Sequence, residues 1–132
     1  MSWPAEGLEF FTREEFDAPD EMDSFTLLFI DEVRRRLGLP IRITSDYRTD
    51  EETEAFTRMM RPGRNPHPRR TALDWKPVPF TMHTRILCLG IVGTMYKEGL
   101  CPRIGLEIAD KHFHTDTDAI LKRPWLWFGR SR

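Results

Sequence analysis

The sequence predicts an α+β fold, a small antiparallel sheet flanked by helices, and three observations carry that expectation. Met22, Phe25, Phe29, Val33 and Leu37 recur at helical spacing, and Gly38 follows as a stop. Ile41-Arg42-Ile43-Thr44 alternates apolar and polar residues, the period of a half-buried strand. Further short strand-like runs lie on both sides of a second helical stretch. With 132 residues, 39% hydrophobic and 31% charged, the chain has enough apolar material for one core and is expected to form a single domain over residues 1–132.

Each element has its own local signal. Thr12 with Glu15 three residues later is a capping box, which predicts a short helix over 11–16 that lays Phe10, Phe11 and Phe16 on the body of the domain. The helix over 22–37 carries Arg34, Arg35 and Arg36 at its C-terminal end, where cations complement the helix dipole. After Pro40 the strand over 41–44 runs into the polar turn Ser45-Asp46-Tyr47-Arg48. Thr49 and Glu52 form a second capping box for a helix to about Met60, and residues 61–70, with Pro62, Gly63, Pro66 and Pro68, make a loop that carries His67.

Residues 71–75 read as a strand carrying Asp74. Thr81 caps a longer helix, with Ile86, Leu89, Val92, Gly93 and Tyr96 as its apolar face and Gly99 as its end. Residues 103–106 and 111–117 predict two short strands, the second carrying His112 and His114, and Trp125, Trp127 and Phe128 form an aromatic tail over a core edge.

Composition narrows the partners. A net charge of -1 and a pI near 6.4 supply no bulk attraction to nucleic acid or to an anionic membrane, so neither is an expected partner, and a monomer is expected. The opening MSWPAEGLEFFTREEF lacks the basic, apolar and small-residue parts of a secretory signal, and no apolar run reaches spanning length. Synthesis in the cytoplasm is therefore expected. A disulfide between Cys88 and Cys101 is open on sequence, although reduced cysteines fit that compartment better. Arg58, Arg61, Arg64, Arg69 and Arg70 make the His67 loop locally basic, a solvated loop in the simplest reading and otherwise an attractor for an anionic cell-wall polymer.

The residues with the most chemistry are His67, Asp74, His112 and His114. Two imidazoles and a carboxylate are the protein donors of a hydrolytic zinc centre that keeps one position open. The same residue types suit a two-His-one-carboxylate iron site, and spacing alone also allows hydrogen-bonded or solvated histidines.

Taken in order, the motifs resemble the zinc D-Ala-D-Ala carboxypeptidase family, in particular its small phage- and prophage-like branch of peptidoglycan peptidases. Thr44, Ser45, Tyr47 and Arg48 match its Thr-Ser-x-Tyr-Arg turn. His67, Ala72 and Asp74 match its Ser-x-His-x-x-Gly-x-Ala-x-Asp loop, while Ile104-Gly105 and His114-Thr115-Asp116 match part of a Gly-Ile-Gly-like stretch and a His-x-Asp. The likeness spans nearly the whole chain. It departs at Asn65, where the family has serine, and at Arg70, where it has glycine, a residue that often marks positive φ or close backbone approach. Lys111 stands where relatives often carry an acid.

The resemblance implies a hedgehog/D-Ala-D-Ala peptidase-like fold with zinc held by His67, Asp74 and His114. It implies a carboxylate base, Asp110 first and Glu107 second, with His112 orienting the water or bonding the tetrahedral intermediate, and Asp116 steadying a ligand histidine. Arg48, whose planar fork suits a carboxylate, and Ser45 would bind substrate. The implied activity is that of a hydrolase, a metallopeptidase cutting peptidoglycan stem peptides either as a carboxypeptidase or as an endolysin-type phage endopeptidase that acts on the cell wall once released. The alternative is a catalytically inactive, metal-stabilised cell-wall-binding or phage structural protein.

Overall fold

A computed structural model of the chain describes residues 3–46, 70–101, 104–118 and 124–129, with Trp125 and Trp127 described in backbone alone. The expected helix over 49–60 and the His67 loop lie outside these residues.

Two 3₁₀ turns, Arg13–Glu15 and Pro19–Glu21, precede the first helix. The Thr12–Glu15 capping box is present, and the Thr12 N–H donates to Glu15 Oε2 at 2.8 Å. Phe11 and Phe16 enter the core with ring centroids 5.4 Å apart. Phe10 stays at the surface, contrary to the sequence expectation, because neighbouring residues in extended chain face opposite ways.

Helix α1 (Ser24–Leu37) ends as expected at Gly38, whose φ of 72° is left-handed and whose N–H donates to the Arg34 carbonyl at 3.0 Å. Its buried residues are Thr26, Leu27, Phe29, Ile30 and Val33. Phe25, expected on that face, is 42% exposed. On the outer side Glu32 accepts from Arg35 Nε at 2.8 Å and Arg36 Nε at 2.6 Å, and these guanidiniums pull its carboxyl down to about 2.

The strands are β1 (Ile41–Ser45), β2 (Ala72–Pro77), β3 (Gly105–Ile108), β4 (Phe113–Asp116) and β5 (Trp125–Phe128), with helix α2 (Met82–Lys97) between β2 and β3. Their order in the sheet is β1-β2-β4-β3-β5. The first four pair antiparallel, as the sequence predicts for a small α+β sheet. The aromatic tail differs from expectation, since it joins the sheet as a fifth strand running parallel to β3. β3 itself starts and ends two residues later than expected, because Leu106 and Ile108 are the alternating apolar pair and Glu107 belongs inside the strand.

One face of the sheet carries the core. Leu73 and Trp75 of β2, Leu106 of β3 and Phe113 of β4 join Leu27, Ile30 and Val33 of α1 and Cys88, Val92 and Met95 of α2. Trp75 packs on Phe113 with ring centroids 5.1 Å apart, and its indole N–H donates to Thr115 Oγ1 at 3.0 Å. A buried indole thereby keeps a partner for its one donor. Thr81 caps α2 as predicted, accepting from the Thr84 N–H at 3.2 Å, but the buried face is Thr84, Cys88, Val92 and Met95. Ile86, at 60% exposure, and Tyr96 lie outside it. Apolar residues surround this helix, so periodicity alone could not select the inward side; contact with α1 and β2 does. Cys88 and Cys101 are both buried and are not joined as a disulfide. No helix among the described residues is long and apolar enough to cross a membrane.

Candidate functional site

The opposite face of the same three central strands is polar and buried. Strand alternation puts residues 72, 74 and 76 of β2 on that face once Leu73 and Trp75 are committed to the core. Asp74 pairs with His114 across β2–β4, and His114 pairs with Glu107 across β4–β3, so a carboxylate, an imidazole and a second carboxylate occupy one rung. Ser45 extends the rung on β1, where the register shifts between Ile43 and Ser45 and brings Ser45 opposite Asp74. The irregularity matters because without it Ser45 and Asp74 would not be opposite one another.

Within the rung, His114 Nδ1 lies 2.7 Å from Asp74 Oδ1, the separation of a charge-assisted hydrogen bond in which the imidazole donates. His112, two residues back and directly before β4, places its Nε2 3.8 Å from the same oxygen. That distance is too long for a hydrogen bond. The His112 side chain is 13% exposed, which removes the reading of it as an ordinary surface histidine.

Glu107, the second carboxylate implied as base, is not in the turn that follows β3. It lies instead inside β3, 1% exposed, with its carboxylate against the backbone of Gly129 just beyond β5. Asp110 occupies the exposed tip of the β3–β4 hairpin, whose last backbone bond runs from the Ala109 N–H to the His112 carbonyl at 3.1 Å. Asp110 lies three positions past Glu107, beyond the end of β3. The Asp110 carbonyl faces Arg85 Nη2 at 3.4 Å, and the Arg85 guanidinium lies over the Phe80 ring.

The next rung pairs Ala72, Asp116 and Gly105. Asp116 Oδ1 accepts from Thr71 Oγ1 at 3.1 Å and from the Asp118 N–H at 2.9 Å, which ties the end of β4 to the start of β2. Sequence reading missed Thr71 and Asp118; the Thr-Asp-Thr-Asp run over 115–118 was the available signal. Asp46, directly after β1, is also buried and accepts from the Ala18 N–H at 2.9 Å, and burial pushes its carboxyl up.

His67 and Arg48 lie outside the described residues. Asp74 and His114, the other two expected ligands, are brought together. Carboxylate oxygen and imidazole nitrogen are donor types that suit zinc. In donor type these two residues fit the group. Arg70, at the position of the family glycine, has φ of 65° and so takes up the left-handed backbone for which glycine is favoured. Its carbonyl accepts from the Asp23 N–H at 2.9 Å, tying the entry to β2 to the start of α1.

Comparison with protein-family models, with curated proteins and with solved structures found no match.

Proposed function

We propose that the chain is a zinc-dependent peptidase acting on peptidoglycan stem peptides, a carboxypeptidase or an endolysin-type endopeptidase similar in kind to the zinc D-Ala-D-Ala carboxypeptidases. The observation that carries this reading is the Asp74–His114 pair, 2.7 Å apart on adjacent strands, with His112 and Glu107 on the same face. Asp74 and His114, together with His67, would hold the metal. When bound, zinc supplies Lewis-acid polarisation of the scissile carbonyl and lowers the pKa of the attacking water.

The remaining work falls to the chain's own groups. Glu107 is the carboxylate assigned to take a proton from the attacking water and pass it to the leaving amine as the C–N bond breaks, since it shares the His114 rung while Asp110 stands at the hairpin tip. His112, beside Asp74, donates to oxygen that gains negative charge. Ser45 offers a hydroxyl next to Asp74, and Arg48 pairs with a carboxylate of the stem peptide. The inactive alternative rests on Lys111 more than on Arg70, because Arg70 keeps the glycine-like backbone.

The test is digestion of purified peptidoglycan by the zinc-loaded protein and by His114→Ala, with products identified by mass spectrometry. Free D-alanine or newly cleaved stems from the parent protein and none from the variant are expected. Equal release from both, or none from either, would remove the peptidase reading.

A further inference from the structure

We propose that Gly129 is a positioning residue for the Glu107 carboxylate, an inference that rests on the peptidase reading. Gly129 has no conformational need to be glycine, because its φ lies outside the left-handed region that Gly7, Gly38 and Gly99 occupy. Its need is for room. A Cβ there would overlap Glu107 Oε2 and stand 2.8 Å from Cδ and 3.2 Å from Cγ, so Glu107 fills the space that a side chain of residue 129 would take. By contrast, a Cβ on Gly90 or Gly93 of α2 would meet nothing within 4 Å.

The sheet gives that contact a direction. Glu107 has Trp127 as its register partner, and Ile108 has Phe128. Gly129 follows, with its N–H on the Ile108 carbonyl at 3.1 Å, and so comes level with Ala109. The Ala109 N–H in turn donates to the His112 carbonyl across the hairpin. Lying against Gly129, the Glu107 carboxylate therefore runs forward along the sheet, from the His114 rung to the level of His112. At 1% exposure it has little freedom to turn elsewhere. A base works only within hydrogen-bond reach of the proton it takes, and a displacement of about 1 Å can cost about 10²-fold in rate. A methyl group at 129 forces such a displacement, and the nearest atoms it meets all belong to Glu107.

The experiment compares turnover of soluble muropeptides by the zinc-loaded full chain, Gly129→Ala, Glu107→Gln and the double variant, with Gly90→Ala as the control for a glycine exchanged in open space. Gly129→Ala is expected to lower kcat about tenfold or more with KM and zinc affinity near the parental values, and Gly90→Ala to leave all three unchanged. Glu107→Gln should lower kcat about 10²-fold or more, and adding Gly129→Ala to it should bring no further fall, as for two residues that act through one group. The contact is checked without turnover in urea, where Gly129→Ala should shift the midpoint far less in a Glu107→Ala background than in the parent. A parental kcat in Gly129→Ala, a loss carried by KM or by zinc affinity, an equal fall in both backgrounds, or equal midpoint shifts with and without the Glu107 side chain would each overturn the inference and leave the peptidase reading standing. A parent protein that releases no product would remove both.

Discussion

Arg70 places a bulky side chain where the backbone is left-handed, a conformation that costs an L-residue roughly 1–2 kcal/mol and glycine almost nothing. Arg70→Gly is expected to raise stability by about 1 kcal/mol in urea unfolding, since its 3.5 Å contact with Glu21 is solvent-exposed and contributes little. Arg70→Ala should give no such gain, because alanine keeps the strain. His112 makes a different prediction. On the proposed peptidase reading, in which it stabilises charge and does not ligate, His112→Ala should lower peptidoglycan turnover about 10²-fold or more and leave zinc affinity by calorimetry close to that of the parent. A parallel loss of zinc would instead assign it as a ligand.

Among elements, α1 and β5 offer the clearest tests. The Glu32 carboxyl is held at about 2 by Arg35 and Arg36, below its ordinary value of 4.5. A depressed folded value means that the ion pairs stabilise above pH 4.5 and that the contribution fades as the pH falls toward 2. Glu32→Gln should therefore cost about 1 kcal/mol at neutral pH, discounted for partial exposure, and the melting curves of parent and variant should converge in acid. At the far edge of the sheet, a Cβ on Gly129 would overlap Glu107 Oε2 and press on the rest of that buried side chain. Gly129→Ala is expected to cost about 1–3 kcal/mol by crowding, read from the urea midpoint.

Elements with a sequence-local cause were legible before the structure. The Thr12 box, the Gly38 stop, the Thr81 cap and the Ile41 alternation each depend on residues within one turn or one strand. What was not legible depends on neighbours distant in sequence. The inward face of α2 is selected by α1 and β2, the strand state of the aromatic tail by β3, and the burial of Glu107 by β4 and Gly129. The site followed the same division. Asp74 and His114 were named from motif order, while the place of Glu107 on their rung required the register of β3.

For the molecule as a whole, the two cysteines report on unfolding. Both are buried, and burial pushes the Cys88 thiol up to about 12, so its reactive thiolate is scarce at neutral pH. Thiol labelling of the native protein is expected to be slow and to proceed at one common rate for Cys88 and Cys101, matched to global opening. A fast phase in the absence of denaturant would mean that α2 opens separately from the sheet.

The Trp75–Thr115 hydrogen bond belongs to the greasy side of β2 and β4, yet it sits one residue away from Asp74 and His114 on each strand. Sliding β2 by one position would turn Trp75 out to water and drive Asp74 into hydrocarbon, two penalties incurred at once. The indole thus acts as an alignment key for the chemistry on the other side. Mutations can erode the polar rung one residue at a time, but they cannot misalign it without unfolding the core.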